Sequence, residues 1–311
     1  MTKKRQKQKV CPNCNFPLGE DVNFCPQCGQ ENHVKIQSLK NILGNWMESL
    51  LNIDTRLLRT IRVLLTSPGK ITKLFQAGKH VSYVAPLRLY LFSSVVMFFM
   101  LNLLIKDQNI GEFDRDAIMA DTSQVQFQMG LESGTLDLNK REFANLAKAS
   151  KETIDSVYIS NGRGKPNFFE RTTMRQVAKM VNDGQSTFIV EMVRNTSIAM
   201  FILMPLFGLC LYLFFRKKTP FYVTHMVFSI HYHAVLFLFL TVAFAVRVWV
   251  GWDISNYALL GAIVYQILAL KNMYQYPWPA TFLKFIGVNF LYLIILGLAV
   301  TAVSIISLFS F

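Results

Sequence analysis

Residues 290–309 read FLYLIILGLAVTAVSIISLF, twenty positions without a charged side chain. A helix rises about 1.5 Å per residue, so a run of this length reaches across the roughly 30 Å hydrocarbon layer of a bilayer. In lipid every backbone N–H and C=O must be satisfied inside the segment, and a helix does that. Five stretches have the length and apolarity for it: Pro86–Ile105, Ser197–Phe215, Met226–Val248, Ile254–Leu270 and Phe285–Leu308. Ile254–Leu270 is the weakest, with 17 residues and a polar start. If it did not cross, the carboxyl terminus would change sides.

The other end of the chain is built on different chemistry. CPNCNFPLGEDVNFCPQCGQ (11–30) holds two CxxC hooks, Cys11/Cys14 and Cys25/Cys28, with ten residues between them. Four thiolates at this spacing form a closed tetrahedral site for structural Zn²⁺, with no position left for water. About thirty residues bury too little apolar surface to fold alone, whereas thiolate ligation contributes roughly 10–16 kcal/mol in small peptides. Pro12 and Pro26 fix φ after the first ligand of each hook, and Asn15 and Gly29 follow the second, where the turn favours positive φ. A redox dithiol pair and an iron–sulfur site are the alternatives; the paired turn chemistry favours a zinc ribbon. Phe16 and Phe24 are expected to pack around the metal. That leaves the ribbon and the preceding KKRQKQK without aromatics for base stacking, so nucleic acid ranks below a protein partner or anionic lipid.

The expected fold class is therefore an all-α membrane protein with five transmembrane helices, preceded by a small zinc ribbon and an amphipathic helix. Charge orients it. The chain is 52% apolar yet carries a net charge of +13. Residues 1–88 hold 14 Lys/Arg against 5 Asp/Glu, and residues 196–311 hold 6 against 1, while residues 106–195 hold 12 against 13. Basic loops stay on the cytoplasmic side, which puts the amino terminus, 216–222 and 271–284 inside and the neutral block 106–196 outside. Trp249 and Trp252 mark one interface; Tyr274, Tyr276 and Trp278 mark the other. Lys3, Lys4, Arg5, Lys7 and Lys9 run into Cys11 with no apolar stretch of a cleavable signal.

Five regions follow: 1–35, basic tail and ribbon; 36–85, cytoplasmic amphipathic helices; 86–105, the first span; 106–196, an extracytoplasmic domain; 197–311, the remaining spans. In the second region Ile36, Leu39, Leu43, Trp46, Leu50, Ile53, Leu57, Ile61 and Leu64 recur at helical spacing. This helix either lies flat on the inner leaflet or packs on the membrane bundle. Ser67-Pro68 and Gly78 bracket a short helix over 68–77. In the outer block, 138–155 reads as a helix, and 167–195 contains another leading into the second span.

His225, His231 and His233 lie in an otherwise apolar run. At about 100° per residue, His231 stands about 120° from His225 on the helix and His233 about 80° to the other side, so the three share no face. A one-helix metal pair would need i, i+4 spacing. They serve either a proton relay, metal or haem site, or hydrogen bonds from neutral imidazoles to neighbouring helices. Asp253 is the only carboxylate after Glu191, so a protonated imidazole has no counter-ion nearby.

YVAPLRLYLFSSVVMFF (83–99), MPLFGL (204–209) and HMVFSIHYHAVLFLFL (225–240), together with the CPxC…CPxCG hooks, resemble an uncharacterised family of bacterial, Bacteroidetes-type integral membrane proteins. The resemblance runs from residue 11 to about residue 240. It implies an inner-membrane location and assigns no activity. The topology alone is also similar to Yip1-type proteins. With no nucleophile–base set and no phosphate loop, the expected role is a non-enzymatic inner-membrane scaffold or regulator that presents the ribbon to a cytoplasmic protein. The alternative is a transporter or channel that uses the intramembrane histidines.

Overall fold

The computed structural model describes residues 7–19, 21–32, 55–107, 124–128, 135–139, 145–162, 164–183 and 185–310. In chain order the elements are α1 (Thr55–Thr66), α2 (Lys70–Gln76), α3 (Pro86–Asp107), β1 (Gln124–Gln128), β2 (Thr135–Asn139), a 3₁₀ turn (Leu146–Lys148), α4 (Lys151–Ser160), α5 (Phe168–Asp183), α6 (Gln185–Phe215), α7 (Tyr222–Val250), α8 (Ser255–Tyr274) and α9 (Trp278–Ser310). Contacts divide the chain into two compact units. The first comprises Met1–Leu101 and Phe201–Ile295, and the second Asn102–Met200 and Leu296–Phe311.

Among the described residues four helical segments are long and apolar enough to cross a membrane: Pro86–Lys106, Phe188–Phe215, Tyr222–Val250 and Trp278–Ser310. The expected count of five is not matched: among the described residues these four meet that length and apolarity, and Ile254–Leu270 falls short of it. The fifth stretch does form a helix, α8, but Asn256, Gln266, Lys271 and Asn272 lower its hydropathy. Two of those polar groups serve packing within the first unit. Gln266, 1% exposed, donates to Asn289 on α9, and Asn272 donates to the Pro68 carbonyl. Although less apolar, α8 runs back along α7: Tyr274 at its end lies against His225 in the first turn of α7.

The core of the first unit is apolar and aromatic, with Leu64, Ile71, Leu89, Phe207, Leu211, Phe215, Phe228, Leu270 and Val288 buried together. Burying each such side chain is worth about 1.5–3 kcal/mol against water, an amount that shrinks where the alternative is lipid. The residues 55–66 of the expected amphipathic helix form α1, with Leu57 and Ile61 packed against this cluster and Leu64 inside it. For this part of the helix, packing on the bundle wins over lying flat. Ile36, Leu39, Leu43, Trp46, Leu50 and Ile53 lie outside the described residues. The short helix expected at 68–77 starts two residues later, because Gly69, at φ 79°, precedes it in a left-handed turn. It ends as expected, with Gly78 at φ 88°.

The second unit adds to the expected helices a short strand pair that the sequence reading does not name. β1 and β2 form an antiparallel pair with Gln124 opposite Asn139 and Gln128 opposite Thr135. The helix expected over 138–155 is reduced to the 3₁₀ turn and α4, since Ser150 accepts the Thr153 N–H as an N-cap and starts the helix afresh. α5 opens with a reciprocal capping box: Asn167 N–H donates to the Glu170 carboxylate, and Glu170 N–H to the Asn167 side chain. Leu146, Ile154, Tyr158, Met174 and Ala178 form a small core. Arg171 ties α4 to α5, bonding Asp155 at 2.7 Å and the Pro166 carbonyl at 3.1 Å.

Candidate metal centre and intramembrane histidines

The two hooks fold as one motif written twice. Cys11 N–H donates to Phe16 C=O and Asn15 N–H to Cys11 C=O; fourteen positions on, Cys25 N–H donates to Gln30 C=O and Gly29 N–H to Cys25 C=O. Asn15 at φ 62° and Gly29 at φ 70° occupy the same left-handed position, as the residue types require. Each knuckle closes with an isolated antiparallel bridge, Val10 to Pro17 and Phe24 to Glu31. The Asn32 amide donates to Val22 C=O, and its oxygen accepts from Gln8 N–H, which fastens the two halves.

All four sulfurs lie within 4.8 Å of one another, with Cys11–Cys28 and Cys14–Cys25 each at 3.6 Å. Thiolates around a tetrahedral ion at about 2.3 Å stand about 3.8 Å apart, so the cage needs almost no adjustment to hold a metal. Burial raises the Cys28 thiol, but the Asn13 side chain, the Gln30 backbone and neighbouring thiols lower it further, to about 7. Cys14 goes the other way: a bond with the Phe16 backbone lowers it, while burial and the other three thiols push it up to about 12. Four crowded thiols do not ionise together unless a cation sits among them. Among the described residues this is the only His/Cys/Asp/Glu cluster with metal-site geometry.

Contrary to expectation, Phe16 and Phe24 do not wrap the metal site; they are 37% and 60% exposed. Cys11, Leu18 and Cys25 fill the little interior there is, which leaves no room for two rings.

The cage is seated on the segment that leads into α3. Gln30, 6% exposed, donates its amide to Gly78 C=O at 2.9 Å and accepts the Val81 N–H at 3.2 Å. Ser82 donates to Asn13 at 2.7 Å. Thr60 of α1 holds the same segment from the far side, accepting Val84 N–H at 3.0 Å.

The three histidines are buried and point to three different elements. His225 accepts from Tyr274 of α8 through Nδ1 at 2.7 Å and donates through Nε2 to Thr219 C=O. His231 Nδ1 bonds Thr72 of α2 at 2.9 Å. His233 donates through Nδ1 to Ser229 C=O, and its Nε2 accepts from Tyr292 of α9 at 3.2 Å. The carbonyl contact takes a ring N–H of His225 and of His233, and in a neutral imidazole the other ring nitrogen accepts the phenol. His231 Nε2 is buried without a partner among the described residues. Ser229, on the same helix, donates to Met204 C=O at 2.6 Å, and Tyr222 to Pro205 C=O, so α7 is pinned to α6 where Pro205 interrupts the ladder. The sequence pattern showed separate faces for the histidines; it did not show Thr72, Tyr274 and Tyr292 as their partners, which come from distant positions.

Residues 54–98 match the model of a protein family described as of unknown function (DUF3667). The match covers α1, α2, the cage's seat and part of α3. No curated protein and no solved structure matches the chain.

Proposed function

We propose that the chain is a non-enzymatic scaffold or regulator of the bacterial inner membrane, presenting a cytoplasmic four-cysteine zinc ribbon to a protein partner. The observation that carries this reading is the two-ended grip of Gln30 on Gly78 and Val81. A tethered module would hang from a linker. Here the cage is bonded to the backbone just ahead of the first span, so a partner on the cage bears on the bundle directly. The exposed Phe16, Phe24 and Val10 offer that partner an apolar rim.

Zinc suits a closed set of four thiolates, and a reducing cytoplasm keeps them ligating. Basic residues on one side of the membrane support the amino terminus inside and 106–196 outside. The return of α8 supports the same plan, since Lys284 reaches Phe214 C=O and Asn272 reaches Pro68 C=O, gathering the basic segments at one end of the first unit. Capture of membrane partners by the full chain tests the role. Binding should be lost when Cys11, Cys14, Cys25 and Cys28 are all changed to Ser, and reduced by Phe24→Ser, which spares the ligands. Equal capture by the four-serine variant sinks the reading.

The unpartnered His231 Nε2 favours one second reading, a transporter or channel with a polar path past His231 and His233. Proteoliposomes carrying His231→Gln and His233→Asn should then lose proton or ion flux; unchanged flux removes it.

A further inference from the structure

Where the turn between α1 and α2 meets the last turn of α8, the surface of the first unit holds an open cavity of about 590 Å³. Its wall carries Lys70, Lys73 and Lys271 with Ser67, Asn272 and Gln275, and no carboxylate lines it. Three ammonium groups around one concavity repel one another unless an anion joins them.

The wall is held in place by packing. Tyr265 donates to Leu64 C=O at 2.8 Å, and Asn272 to Pro68 C=O at 3.0 Å. A Cβ on Gly69 would stand 2.7 Å from the Ala269 carbonyl oxygen, so only glycine permits the turn to seat this closely on α8. Gln275 caps α8 at φ 54°, a left-handed position that a non-glycine residue keeps only where its surroundings hold it. Lys271 is anchored by donation to Tyr276 C=O and by the Trp278 ring 5.4 Å away. Lys70 is exposed and Lys73 half-buried, and neither pairs with a carboxylate among the described residues.

Cations set among neutral hydroxyl and amide donors match a group with several oxygens and more than one negative charge. We propose that this cavity is an anion site that takes a phosphate group, carried by an anionic phospholipid or as free phosphate. The inference goes beyond the scaffold reading and does not depend on it.

The test uses the full-length chain in phosphatidylcholine nanodiscs, with and without phosphatidylglycerol, titrated with inorganic phosphate at fixed ionic strength. The readout is the melting temperature by tryptophan fluorescence. A rise with phosphate in phosphatidylcholine assigns free phosphate. A rise with phosphatidylglycerol that removes the phosphate response assigns the lipid headgroup. Either response should require at least tenfold more ligand in the Lys70→Gln, Lys73→Gln double variant, be restored by Arg at both positions, and be unchanged in Lys79→Gln, which lies off the cavity. No shift with either probe, or an equal shift in the double Gln variant, overturns the proposal.

Discussion

At the scale of single residues, Gly69 and the histidines make the sharpest predictions. Gly69 combines φ 79° with the approach to Ala269, so Gly69→Ala should cost about 1–3 kcal/mol, read as a lowered melting temperature in detergent. His225→Leu strands the Tyr274 hydroxyl and the Thr219 carbonyl, each worth about 1–3 kcal/mol when buried unpaired. A melting temperature within a degree of the parent would count against that pin. His80 adds a pH dependence, because burial holds its imidazole below the ordinary value. As pH falls below about 6.5 the unfolded chain takes up a proton that the folded chain still refuses, so the folded state loses stability in that window. The drop in melting temperature between pH 7.5 and pH 5.5 should therefore shrink in His80→Asn. Asn15 and Gly29 were legible as left-handed positions, since their turn admits few residue types. The exposure of Phe16 and Phe24 was not, because ring packing depends on an interior volume that a twenty-residue knot lacks.

For the elements, the cage and the bundle should come apart cleanly. Stripping the metal with a chelator should leave the helical circular dichroism almost intact while trypsin cuts faster at Lys9 and Lys79, the basic residues flanking the cage and its seat. Unchanged proteolysis would mean that the knot holds without an ion. In the second unit, Arg171→Ala removes the bonds to Asp155 and Pro166 from a site where both side chains are less than 20% exposed. Hydrogen exchange in α4 and α5 should rise there. Long apolar helices were readable because length and hydropathy decide them before any tertiary contact. α8 was harder: its Gln266 and Asn272 look like faults in a span until Asn289 and Pro68 are seen to receive them. QVQFQ and TLDLN each alternate over five residues only, too short a period to outweigh the helix-forming residues that follow.

At the scale of the whole molecule, the proposed orientation rests on charge, with basic residues in excess at both ends of the chain and a balanced block between them. Ser156→Cys, exposed on α4, should react with an impermeant maleimide in intact cells, whereas Cys14 and Cys28 should react only after permeabilisation and metal removal. The reverse pattern would invert the topology. This asymmetry is visible in composition alone, but the seat of the cage is not, for no local pattern links Gln30 to Gly78 across 48 positions. That separation also sets an order of assembly. During synthesis the sulfur knot leaves the ribosome ahead of the backbone that receives it, so a cage that takes a metal ion, as proposed, has the chance to close before it is seated. On that reading, a cell starved of the ion would send to the bilayer a chain whose receiving groups, Gly78 C=O and Val81 N–H, meet only water.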